Sequence, residues 1–163
     1  MIDNTTLQGY LAANKDFTTV CEIYAADAVP GASGFDPDDA IGWYAAVSGV
    51  TFMGNSYTRL VKKFSNIKRT VSAESNTATV EFSNVSRVIS TFEFDNGFEG
   101  LIMVVRLISR ASSATIANSL VMFAGRCEKP TSGNKDSLSV TAKWILGTQE
   151  VLIPRRKYTK EDQ

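Results

Sequence analysis

The chain has 163 residues, enough for one domain with a sizeable core. Its formal net charge is zero, which argues against a general nucleic-acid binder, because such a protein uses a basic excess to displace counterions. It has no histidine, and its two cysteines, Cys21 and Cys127, lack CxxC spacing; Ser-His-Asp and Cys-His triads are thereby removed, and nothing favours a zinc ribbon or a disulfide framework.

The first residues, MIDNTTLQGYLAANKDF, lack the basic region and long apolar core of a secretory leader, and no stretch is apolar enough to span a membrane. Leu7, Tyr10, Leu11 and Asn14 fall on helical spacing behind a Thr5/Thr6 cap, so a short helix is expected there. FTTVCEIYA puts Phe17, Thr19, Cys21 and Ile23 on one face and Val20, Glu22 and Tyr24 on the other, the pattern of a strand covered on both sides. AVPGASGFDPDDAIGW reads as loop, with Asp36 as N-cap and Pro37 as first position of a single helical turn. VSGVTFMGNSYTRLVKKF reads as a hairpin turning at Gly54-Asn55 in a type II′ turn.

TATVEFSN alternates, with Ala78, Val80 and Phe82 inward and Thr77, Thr79, Glu81 and Ser83 outward. The period then changes. Val85, Val88, Ile89 and Phe92 are helically spaced after Ser83/Asn84, and this second short helix should end before Asp95-Asn96-Gly97. GLIMVVRLIS is the best candidate for a central strand, and RASSATIANS for a loose connection. LVMFAGRCEKP is a further strand, TSGNKD a turn and SLSVTAKWILG another alternating strand. The last strand-like piece is VLIPRRKY, where Pro154 should weaken pairing and turn the chain outward.

The sum is a mainly β domain, an antiparallel barrel or sandwich with two short helices. Val80, Phe82, Leu101, Met103, Val105, Leu120, Met122, Val140, Ala142 and Trp144 are its expected core. The loops 25–42 and 110–118 bury little and are expected to be ordered by neighbouring subunits.

No constellation carries clear chemistry. Asp36, Asp38 and Asp39 lack the ligand spacing of a calcium loop and suit helix capping. Glu93, Asp95 and Glu99 are spaced like carboxylates around a turn, with nothing to raise one pKa as a glycosidase requires. Arg59, Lys62, Lys63, Lys68 and Arg69, with Tyr57 and Phe64 interleaved, fit a solvated strand face better than a single-strand platform. Trp43 and Trp144 read as core or interface residues. Catalytic residues, cofactors and metals are therefore not expected, and binding or assembly remains.

The order of pieces is more informative. Gly54 and Tyr57 in the hairpin, Asn84 ending a strand, an apolar strand, Gly125-Arg126 ending another, and Pro154, Arg155, Arg156 and Tyr158 at the exit follow in series. Over about Val47 to Tyr158 the chain resembles the minor tail protein L family of lambda-like phages and the related tail-tip hub proteins of prophages and gene-transfer agents. The resemblance implies a single hub-like β domain over 1–163 with an exit arm from about 151. In that family the exit leads to a cysteine-bearing segment that can hold an iron–sulfur cluster; this sequence stops before any such cysteine, so no cluster ligand carries over. It further implies a structural role in a phage tail tip or baseplate. The chain would assemble in the host cytoplasm into a ring around the tail channel, a trimer first and a hexamer second. Partners would be other tail-tip and tail-tube proteins, with transient contact to DNA or the tape-measure protein, and Arg155, Arg156, Lys157 and Tyr158 would form an interface. The competing expectation is a non-catalytic module binding a host-surface glycan.

Overall fold

The structure, a computed structural model, describes residues 17–31, 34–47, 49–65, 67, 76–110, 116, 119–130 and 132–144. The helix expected over 7–14 and the arm from about 151 lie outside these residues. The described chain is mainly β, with ten strands: β1 (Phe17–Tyr24), β2 (Gly42–Ala45), β3 (Val50–Phe52), β4 (Asn55–Arg59), β5 (Val61–Phe64), β6 (Thr77–Ser83), β7 (Ile102–Ser109), β8 (Ser119–Cys127), β9 (Ser132–Gly133) and β10 (Ser137–Trp144). One α-helix, α1 (Val88–Asn96), follows β6, and a single 3-10 turn spans Pro37–Asp39.

The strands form one sheet in the order β3-β4-β2-β1-β7-β8-β10-β6-β5, with β9 beside β10. The expected all-antiparallel pairing fails at one place, where β2 and β4 run parallel, Tyr44 opposite Thr58. This follows from the short β3–β4 hairpin, which turns the chain back before it reaches β2. The sheet path is not closed, yet strands near its two ends meet at one residue. Leu60 donates its N–H to Ala45 O at the end of β2 and accepts from Ser83 N at the end of β6. The stretch Asn55–Phe64 thus serves β2 first and β6 afterwards, and the sheet must curl to allow it.

The concave side holds the main core: Cys21 and Ile23 from β1, Val80 and Phe82 from β6, Met103 and Val105 from β7, Phe123 from β8, and Val140 and Ala142 from β10. Helix α1 covers one end through Ile89 and Phe92, whose ring lies 5.0 Å from Phe98 and 6.3 Å from Tyr44. On the outer side Val20, Ala45 and Ile108 pack beneath Val50, Phe52 and Tyr57 of the hairpin. Tyr24, Ile102 and Val104 pack beneath Phe35 and Ala40 of the 25–41 connection. β1 and β7 are therefore covered on both faces, as their near-continuous apolar sequences predict.

Six of the ten expected core residues are buried, while Leu101, Leu120, Met122 and Trp144 are half-buried. In β8 a bulge takes Met122 out of the core-facing alternation. Val105 faces Phe123 and Arg106 faces Val121, which leaves Met122 as an extra residue. Leu120 and Phe123 then share a face, where strict alternation would group Leu120 with Met122.

The hairpin turns one residue earlier than expected. Phe52 pairs with Asn55, so Met53 and Gly54 are the central residues, and both have positive φ, 50° and 81°. This is the pattern of a type I′ turn, not II′. Helix α1 runs through Asp95 and Asn96, beyond its expected end. Asn84 does act on its start, because its Oδ1 accepts from Ser90 N and Ser90 Oγ.

Candidate functional site

A charged cluster lies buried on the outer faces of β1 and β7. Alternation places Glu22 and Arg106 on the same face of adjacent strands, and Val20, two residues from Glu22, is the direct partner of Arg106. Both side chains are fully buried. Arg106 Nε donates to Glu22 Oε1 and Oε2 at 3.0 and 3.1 Å, and Nη2 donates to Oε2 at 3.0 Å. The carboxylate also accepts from Tyr24 OH at 2.8 Å and Tyr57 OH at 2.7 Å. Arg106 Nη1 reaches Ser119 Oγ at 3.1 Å, and Nη2 reaches the Phe35 carbonyl at 2.6 Å.

A buried carboxylate and guanidinium are tolerated only when paired and fully hydrogen-bonded. That condition is met, since among the described residues every buried polar side-chain atom has a partner. Burial and then the Glu22 charge push the Tyr24 and Tyr57 phenols far up, so both stay protonated as donors. Burial alone would lower the Arg106 pKa; the Glu22 charge and hydrogen bonds more than offset this and leave it raised. Both oxygens of Glu22 accept from donors on Arg106, Tyr24 and Tyr57. The cluster joins β1, β4, β7 and β8 to the 25–41 connection.

Further contacts hold that connection. Asp36 Oδ1 caps the 3-10 turn by accepting from Asp38 N at 3.1 Å, and Trp43 Nε1 donates to Pro37 O at 2.9 Å. Asn55 Nδ2 donates to Asp38 Oδ1 at 2.6 Å, and Ile41 N to Ile23 O at 2.7 Å. The described part of this loop is thus held by contacts within its own chain.

Between the connection and the outer faces of β7 and β8 lies an open groove of about 540 Å³. Val29, Pro30 and Phe35 line one wall and Ile102, Val121 and Trp144 the other, with Asp27 and Arg126 at its borders. A second cavity of about 430 Å³ shares Ala28, Val29, Gly34 and Phe35 with it and is edged by Asp36 and Asp39.

The acids singled out in the sequence have local duties. Asp36 and Asp38 cap and tether the 3-10 turn, and Glu93 Oε2 accepts from Phe98 N at 2.6 Å where the chain leaves α1. Arg59, Lys62 and Lys63 are exposed on β4 and β5, with Lys62 3.5 Å from Glu81. Trp144 lies 5.5 Å from the Phe123 ring, edge-on. Arg155, Arg156, Lys157 and Tyr158 lie outside the described residues. Sequence reasoning missed the Glu22–Arg106 pair. The signal was present: opposite charges stood inside the two strands expected to be buried on both faces.

The class defined by this geometry is a curled, mainly β fold. No protein-family model matches the sequence, and no curated protein does. The fold is similar to that of a chain in the solved structure titled virion of native gene transfer agent (GTA) particle. The TM-score is 0.61 at 14% identity, over 85% of this chain and 44% of that one. The likeness is one of fold, and this chain spans less than half the length of its structural neighbour.

Proposed function

We propose that the chain is a structural component of a phage-like particle, placed at the tail tip or baseplate and assembled as a ring around the tail channel. The observation that carries the reading is the fold shared with a gene-transfer-agent virion chain. Two features support it. The order of hairpin, strands and proline-basic exit resembles the tail-tip hub family, and the buried charge cluster serves to brace a long connection rather than to turn over a substrate. In this reading the curled sheet is a barrel whose outer face carries the contacts between subunits. The ring is a trimer first and a hexamer second, with other tail-tip and tail-tube proteins as neighbours. The arm at Arg155, Arg156, Lys157 and Tyr158 reaches a partner, with its arginines on carboxylates and its tyrosine ring at the edge of the contact.

The test is electron microscopy of assembled particles made with the labelled chain, paired with R155S/R156S. Label in a closed ring at the tail end, and particles lost with the folded double variant, are the expected results. Intact, infectious particles that lack the chain would overturn the reading.

A further inference from the structure

We infer that residues 151–158 of one copy dock into the outer groove of a second copy, beside its 25–41 connection. The inference rests on the ring reading and names the surface through which the ring would close.

The groove is lined mainly by apolar side chains, with Asp27 and Arg126 at its borders, and the cavity that adjoins it is edged by acids. Val29, 83% exposed, stands at its rim, and Phe35, Val121 and Trp144 form its apolar floor and walls. Around Val29 and Phe35 the groove passes into the cavity edged by Asp36 and Asp39. The segment 25–41 holds four acids, Asp27, Asp36, Asp38 and Asp39, and no basic residue. Among the described residues none of the four forms an ion pair.

The occupant is in the same chain. Beyond Trp144 the sequence continues over residues 145–163, outside the described structure. It carries Val151-Leu152-Ile153, then Pro154, then Arg155-Arg156-Lys157. The order is apolar then cationic, matching a surface that is apolar then acidic. From Leu152 to Arg156 an extended chain covers about 13 Å. Arginine forks on exposed carboxylates give such a contact direction as well as charge.

The ring reading sets the contact between copies, since each subunit of a ring must meet its neighbour. An arm-in-groove contact joins two different surfaces, and repeated round an axis it closes a ring.

The experiment uses the full chain, two charge-reversed variants and sedimentation. D27R/D39R reverses the groove and R155E/R156E reverses the arm; both groove positions are exposed, and far-UV circular dichroism checks that each variant folds. The unaltered chain should self-associate, and each variant alone should do so at least about tenfold more weakly. Mixed in equal amounts, the variants should associate again, because the unaltered arm meets the unaltered groove and the reversed arm meets the reversed groove. A labelled peptide of residues 149–163 should bind the arm-reversed chain and not the groove-reversed one. A mixture that stays monomeric, whether because the arm folds onto its own copy or because it docks nowhere, would overturn the inference. If the mixed variants associate but purified particles lack the protein, the docking stands and the virion reading falls.

Discussion

Glu22 and Arg106 are each tolerable in the interior only because of the other. Replacing Arg106 with leucine leaves a buried carboxylate held by two phenols, so we expect a loss of about 3–5 kcal/mol in urea unfolding. E22Q with R106L should lose less than the two single changes added together, because the uncompensated charge is gone. The buried phenols and thiols make a separate prediction. Burial, and then the Glu93 charge, raise the Cys127 thiol from 9.0 to about 12; burial, and then the Cys21 thiol, raise Tyr44 from 10.0 to about 12. Such groups hold their protons more tightly folded than unfolded. Their contribution is therefore full below about pH 9 and is lost as pH rises toward about 12. The urea midpoint should be lower at pH 11 than at pH 8, and a midpoint unchanged over that interval would count against the buried protonation states.

At the scale of elements, most strands were legible because their apolar residues recur with a period of two. β6 alternates along its whole length, and β1 and β7 are read from apolar runs covered on both faces. What escaped was set by partners. Gly42–Ala45 is too short to show a period and becomes a strand only because β1 and β4 flank it. The bulge in β8 and the turn at Met53-Gly54 likewise depend on pairing register, which no single strand encodes. The two buried charges were legible in their apolar runs, but their register was not, since a lone charge does not name its exact partner. Two substitutions test this level. A Cβ at Gly125 would lie 2.5 Å from the Lys143 carbonyl oxygen and 2.5 Å from the Phe123 ring. The backbone oxygen cannot withdraw without breaking the β8–β10 ladder, so Gly125→Ala should cost more than about 2 kcal/mol. Asn84→Ala removes the acceptor for Ser90 and the donor to Asn134 O, and should cost about 1–2 kcal/mol, read from the thermal midpoint.

At the scale of the whole molecule, the groove and the acidic connection lie on the outside of the curled sheet, and the core lies within. Assembly through the outer face would leave the fold of each copy undisturbed. We therefore expect R155S/R156S, at a concentration where both chains are monomeric, to unfold in urea at the same midpoint as the unaltered chain while failing to enter particles. A monomer midpoint that shifts with these two residues would mean that the arm belongs to the fold of its own copy.

The partners in the buried charge pair stand 84 positions apart in the chain. A polypeptide emerging from the ribosome presents Glu22 early, and its counterpart arrives only with β7. Until then the carboxylate stays in water, β1 lacks its long neighbour, and the end of β2 waits for Leu60. The N-terminal third therefore has no stable resting place during synthesis. Nascent chains halted before Arg106 clears the exit tunnel should be cut readily by protease, and those halted well after β10 should resist. The same contact that steadies the finished molecule sets the point in translation before which it cannot form.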